Sequence, residues 1–333
     1  MSASVKKNRF TNPYISPLRY PGGKRKLIPL IADLISRSQP VPLFVEPFAG
    51  GASVSIGLLE AGCVENIALS DKDFLVASFW KTVFSARATE LAEMVLSAEI
   101  TLDNWKMIKR AQPSTEIEAA FNCIFLNRTS FSGILNDQAG PIGGQKQQSE
   151  YTIDCRFNRE KLASRILELS ELQERVVFVE CQDYAQTFDQ VRQTAFCQDR
   201  LDQVLWYFDP PFFEKADKLY RHTFNDTGHL LFRQLLRHIE GHWILSYDDV
   251  PQARHYYSGD PGFARVNLSY NARIDSNERL SSSEIVVSDI IAELRRRQGQ
   301  GCIPAMGEVL SLKGFQETIS DNALSERCSE RAV

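Results

Sequence analysis

A short apolar run closed by an acid and a glycine turn, then met by a second such run, constrains this chain most. Leu43-Phe44-Val45-Glu46 has the length and composition of a buried strand, and Pro47-Phe48-Ala49-Gly50-Gly51 follows as a turn. The stretch from Ser53 to Ala61 has helical character, and Ile67-Ala68-Leu69-Ser70 then ends at Asp71. Strand, glycine turn, helix, strand and acid make half of a nucleotide-binding α/β unit, with the acid about twenty residues past the turn, where a ribose-binding carboxylate falls. Gly50 and Gly51 allow the backbone to approach a ligand closely, with a plain tight turn as the lesser alternative.

The same alternation returns late in the chain. Val176 to Glu180, Val204 to Phe208, Trp243 to Ser246, Ala264 to Leu268 and Ile285 to Ser288 read as strands, and Gly228 to Ile239 as a helix. Between the two α/β stretches, Phe74 to Leu126 carries apolar residues at helical spacing. Residues 127–151 lose that period and gather Gly133, Gly140, Gly143 and Gly144, which predicts a long loop of the functional kind. Helical spacing resumes from Asn158 to Glu171. The expected fold is therefore α/β, a Rossmann-like core with a doubly wound mixed sheet, interrupted by a helical and loop insertion. Residues 14–74 and 172–292 would form the catalytic part and 75–171 the insertion, with 1–13 and 298–333 as flexible termini.

Composition narrows the setting. The chain has 333 residues, long enough for a large α/β domain and a smaller one. Its seven cysteines are scattered, without a Cys-x-x-Cys pair, and read as reduced thiols of a cytoplasmic protein. All five histidines fall between His222 and His255 without a metal-binding pattern, so no metal is expected. No apolar run reaches the roughly 18–20 residues of a membrane span, and no membrane partner is expected. The net charge of −4 gives no sign of a nucleic-acid binder, but local charge decides such binding. Residues 1–32 hold seven basic residues, from Lys6 to Lys26, and no acid.

The most specific local signal is Asp209-Pro210-Pro211-Phe212, delivered by the strand that ends at Phe208. Ligands of open α/β sheets bind outside the carboxyl ends of the strands. Two prolines stiffen this corner and leave carbonyls free of competing N–H groups. An aromatic amine is poorly nucleophilic because its lone pair is conjugated with the ring. Acceptors such as Asp209 and the Pro210 carbonyl would bind its two hydrogens and favour a tetrahedral nitrogen, while Phe212 would stack on the ring, a contact worth about 1–3 kcal/mol. A strand ending in a Pro-Pro turn, with Asp209 as a local cap, is the alternative. Neither a dinucleotide fingerprint nor a P-loop is present, which disfavours a nicotinamide dehydrogenase or an ATP site.

These segments occur in the order found in the DNA adenine methylase (Dam-like) family of amino-methyltransferases. Tyr20-Pro21-Gly22-Gly23-Lys24 resembles its N-terminal aromatic-x-Gly-Gly-Lys segment, and Glu46 to Gly51 its Glu-Pro-Phe-x-Gly motif. Leu69-Ser70-Asp71 is similar to its next, acid-ended strand. Phe125 to Arg128, with Phe131 to Ile134, looks like its Asn-Arg and loop signature, and Asp209 to Phe212 resembles Asp-Pro-Pro-Tyr.

The resemblance spans roughly residues 14–290 and implies S-adenosyl-L-methionine as cofactor and duplex DNA as partner, with a cognate restriction or defence component as a further one. Tyr20, Gly22, Gly23 and Lys24 would line the cofactor pocket. Glu46, Pro47, Phe48, Gly50 and Gly51 would wrap its methionine part and Asp71 its ribose. Asp183 and Tyr184 would meet its adenine, although helix capping explains Asp71 and Asp183 as well. Asn127, Arg128, Phe131, Ser132 and Ile134 would face DNA, the loop residues bracing the gap left by an extruded base; an ordinary packed loop is the other possibility.

The expected reaction is direct in-line methyl transfer to the adenine N6, with no covalent enzyme intermediate and no metal. The same chemistry on a cytosine amine or on RNA, or a DNA-binding member without turnover, are the competing expectations. Two positions depart from the family pattern. Phe212 replaces Tyr, and Ile134-Leu135-Asn136-Asp137 lacks the basic residue with which GATC-reading members recognise guanine.

Overall fold

In a computed structural model, which describes residues 14–20, 22–38, 40–194, 199–213, 219–269, 281–297 and 309–311, the apolar runs form strands as expected. Two compact units are present, Met1–His242 and Trp243–Val333.

In the first unit, β1 (Leu43–Glu46), β2 (Asn66–Asp71), β3 (Val176–Cys181) and β4 (Val204–Phe208) lie in the order β3-β2-β1-β4. Every pair is parallel. All residues of β1 and β4 are buried, which is why both read as unbroken apolar runs rather than alternating ones. The winding direction reverses between β1 and β4. Such a reversal opens a crevice at the carboxyl ends of the strands, and here those ends deliver Pro47 and Asp209.

Two helices support β1. The first, α1 (Ile28–Arg37), buries Ile28, Ile31, Leu34 and Ile35 on one stripe, with Pro29 in its first turn. Its partner α2 (Ser53–Glu60) is buried from Val54 to Leu59. Gly57 lets the two helices approach closely there, since a Cβ on it would stand 2.7 Å from Ile28 Cδ1 and oblige that side chain to shift.

Between β2 and β3 lie α3 (Phe74–Val83), α4 (Ala88–Leu96), α5 (Leu102–Arg110), α6 (Glu116–Thr129) and α7 (Arg159–Ser170). Asp73, Thr101, Thr115 and Asn158 cap α3, α5, α6 and α7 by accepting backbone N–H bonds. The α6 helix is buried on nearly all sides from Ala119 onward. It therefore continues through Thr129, and the loop begins three residues later than the loss of periodicity suggests. The unit closes with α8 (Tyr184–Gln193) and α9 (Asp226–Leu236).

The second unit holds β5 (His242–Asp248), α10 (Pro251–Tyr257), β6 (Phe263–Ser269), β7 (Ser281–Ser288), α11 (Asp289–Arg297) and β8 (Val309–Ser311). Its strand order is β5-β7-β6-β8, with β7 antiparallel to both β5 and β6, and β8 parallel to β6. Parallel and antiparallel pairs thus both occur, as a mixed α/β fold requires. The short strand β8 lies within the stretch expected to be a flexible terminus; residues 1–13, 298–308 and 312–333 lie outside the described residues.

Candidate active site

The Asp209 carboxylate, where β4 ends, forms an ion pair with Lys24, whose Nζ lies 3.1 Å from Oδ1. Lys24 is almost wholly buried, and its ammonium also donates to the Gly22 carbonyl at 3.0 Å and lies 4.7 Å from the centre of the Phe212 ring. A buried ammonium needs such partners. Gly22 has φ of +73°, and a Cβ there would stand 2.3 Å from Phe212 Cζ. The Gly-Gly-Lys segment therefore packs directly beneath the Asp209–Phe212 corner; the sequence reading assigned it to the cofactor pocket. Tyr220 meets Phe212 edge-on at 5.7 Å and lies nearly parallel to Tyr20 at 6.0 Å.

The turn after β1 is held by backbone bonds. Ala49 N–H donates to Ser70 O, Gly50 N–H donates to Asp71 Oδ2 at 2.8 Å, and Trp80 Nε1 donates to Gly50 O. Asp71 Oδ1 accepts the Asp73 N–H at 2.8 Å. Gly50, at φ of +44°, leaves room for the Tyr20 ring, which a Cβ would meet at 2.8 Å. Burial, reinforced by the neighbouring Asp73, pushes the Asp71 carboxyl up to about 7. Glu46 is buried and accepts from both the N–H and the hydroxyl of Ser55. Burial raises it to about 8 even against those bonds.

Beyond the turn lies a cavity of about 250 Å³, lined by Tyr20, Asp71, Asp73, Asp183, Asp209 and Tyr220 among others. Phe48, Tyr184 and Phe224 form an aromatic wall with ring centres 5.6–5.8 Å apart. Asp183 does serve as a helix cap, because its Oδ1 accepts from Ala185 and Gln186 in a reciprocal capping box, yet it also lines this cavity. Tyr220 to Phe224 were missed by the sequence reading. The clue was a run of aromatic and basic residues just after the Pro-Pro corner, but no periodicity marks it. Arg221 in this run reaches Asp73 at 3.3 Å.

The chain matches the family described as D12 class N6 adenine-specific DNA methyltransferase over residues 20–274. It belongs to that family. This D12 class methyltransferase is thus an enzyme that acts on adenine in DNA, and its motifs meet at one corner of the sheet. No curated protein matches the chain. Among solved structures, it is similar to the rRNA methyltransferase aviRa from Streptomyces viridochromogenes, at 12% identity and a TM-score of 0.34, covering 86% of this chain and 92% of that one.

The residues of this methyltransferase expected to face DNA divide in two. Phe131 is 67% exposed and precedes Ser132, which sits at φ of +56°. Ile134 is half-buried. Asn127 is completely buried, which corrects its expected contact with DNA. Its side chain instead accepts from the Arg19 N–H at 2.7 Å and donates to the Arg19 and Gly133 carbonyls at 2.7 and 2.9 Å. Arg128 is also mostly buried, donating through Nε to Pro17 O. Both residues stand on the last turn of α6, where a tightly packed helix turns them inward.

Proposed function

We propose that this methyltransferase takes S-adenosyl-L-methionine into the carboxylate-ringed cavity and methylates an adenine extruded from duplex DNA. The donor set suits that cofactor. Asp71, Asp73, Asp183 and Asp209 match a positively charged sulfonium, and Phe48, Tyr184 and Phe224 offer ring faces and edges to a purine. When bound, the cofactor supplies an electrophilic methyl group.

The remaining work falls to the chain. Asp209 and the Pro210 carbonyl accept the two N6 hydrogens of the adenine, aligning its lone pair. Phe212 stacks on the base. Lys24 fixes Asp209 and Phe212 together, so that acceptor and stacking surface keep one geometry. Nitrogen gains a methyl and sheds one proton, for which Asp209 is the acceptor at the reacting atom. Phe131 fills the space that the base vacates. Residues 75–171 serve as the target-recognition insertion, and residues 14–74 and 172–292 as the catalytic part.

The observation that carries this reading is the Lys24–Asp209 pair at the winding reversal of the sheet, beside Phe212. The test is to incubate duplex DNA with methyl-labelled cofactor, digest it and identify the modified nucleoside. N6-methyl-2′-deoxyadenosine from the wild type, and none from a folded Asp209→Ala variant, is the expected result.

A further inference from the structure

Several arginines of the described chain sit against a carboxylate. Arg37 pairs with Asp33, Arg87 with Glu90, Arg165 with Glu60, and Arg254 and Arg265 with Asp249. Three others do not. Arg19, Arg128 and Arg156 lie close enough for their charges to act on one another, and none has a carboxylate partner. The one side-chain hydrogen bond among them runs from Arg128 to the Pro17 carbonyl. Burial, and then Arg156, hold the Arg19 guanidinium below its ordinary range. Burial, and then Arg19, bring Arg128 down to about 10.

Three like charges drawn together oppose the fold unless an anion sits among them. Their placement identifies the anion. Arg19 is half-buried and directly precedes Tyr20, which lines the reaction cavity. Its main chain is clasped by Asn127, and Gly133 packs so tightly on it that a Cβ would stand 2.4 Å from the Arg19 oxygen. The exposed Phe131 side chain stands two residues from Gly133. Arg19 thus lies between a residue of the reaction cavity and the turn that carries an exposed aromatic, a place suited to the backbone of a strand with an everted base.

We propose that Arg19 and Arg156, backed by Arg128, form a phosphodiester-binding site for the DNA strand that carries the target adenine. The site rests on the reading of duplex DNA as substrate. It positions the strand by charge and reads no sequence, since phosphate contacts fix register whereas base edges specify it. It also resolves how a chain of net charge −4 holds a polyanion beside a cavity lined by acids.

The test uses the full-length enzyme. Duplex binding is measured by fluorescence anisotropy across a salt series for wild type, Arg19→Gln, Arg156→Gln and Arg19→Lys, with Arg87→Gln as a distant control. Each Gln substitution in the cluster should weaken binding to all sequences alike and reduce the slope of log affinity against log salt by about 1. Arg19→Lys should restore the slope, and Arg87→Gln should leave it unchanged. Unaltered slopes in both Gln variants overturn the proposal. Weakening confined to one position of the target sequence overturns it in favour of base reading, and a selective loss of cofactor affinity overturns it in favour of a role in the cavity. Arg156 is exposed, so its variant carries the test should Arg19→Gln fold poorly. If the wild type binds DNA with the expected slopes but methylates no adenine, the phosphate site stands and the functional reading falls.

Discussion

Lys24 and Asp209 are 185 residues apart in sequence, yet their charged atoms lie 3.1 Å apart, with the Lys24 side chain almost completely buried. The ammonium ties the Gly22 carbonyl, the Asp209 carboxylate and the Phe212 ring to a single point. Removing it leaves a carboxylate unanchored at the site of reaction. Lys24→Met should lower kcat for methyl transfer on the order of tenfold, equivalent to about 1.4 kcal/mol. Asp209→Ala should lower it by about a hundredfold or more, the scale seen when a preorganised group at a reacting atom is removed. Single-turnover kinetics with saturating DNA measure both. An unchanged rate in Asp209→Ala defeats the assignment.

Gly22 makes a separate test of the same corner. Gly22→Ala adds a Cβ at φ of +73° that collides with Phe212. The ring must move, so kcat should fall while the helical circular dichroism stays native. Phe212→Tyr keeps the stacking face and should retain most activity. Phe212→Ala should lose the equivalent of about 1–3 kcal/mol, read from the affinity for duplexes with a mismatched target adenine.

Buried acids give the fold a pH dependence of known sign. Glu46 and Asp71 are raised from ordinary values of 4.5 and 3.8 to about 8 and about 7, because burial disfavours their charged forms. The folded state therefore binds protons more tightly than the unfolded chain. The stability this provides is fully present below the ordinary values and is lost as pH rises through 7 and 8. Glu46→Gln, which cannot ionise, should flatten the decline. Urea midpoints at several pH values check this, with a limiting slope of about 1.4 kcal/mol per pH unit for one proton. A mutant curve parallel to that of the wild type removes Glu46 as the cause.

Phe131 contributes little to the core, being 67% exposed. Phe131→Ala should leave the melting temperature nearly unchanged, yet reduce the fluorescence rise of 2-aminopurine placed at the target position. Equal fluorescence in mutant and wild type removes Phe131 from base extrusion.

Asn127→Ala has the opposite profile. It deletes three hydrogen bonds and leaves buried backbone groups of Arg19 and Gly133 without partners, costing about 1–3 kcal/mol for each group left unsatisfied. Thermal unfolding should show a large loss, before any effect on DNA is considered.

The parallel strands were legible because burial on both faces writes them as continuous apolar runs, as in Val204 to Phe208. Asp209, Asp71 and Asp183 were legible because each follows such a run. The pairing of Lys24 with Asp209 was not legible, since no local pattern records that residue 24 meets residue 209. The end of α6 was misplaced for a related reason. A helix enclosed on nearly all sides has no polar stripe, and its terminus at Thr129 is set by packing. Tyr220 to Phe224 escaped notice because they join the site through a turn of the chain rather than through an element with a period.

Asn127 clasps Arg19, and Gly133 rests on the same residue. One peptide thus serves as the shared abutment of the end of α6, the turn that follows it and the segment that lines the cavity through Tyr20. A substitution that displaces this peptide therefore disturbs both the turn carrying Phe131 and the cavity wall at once.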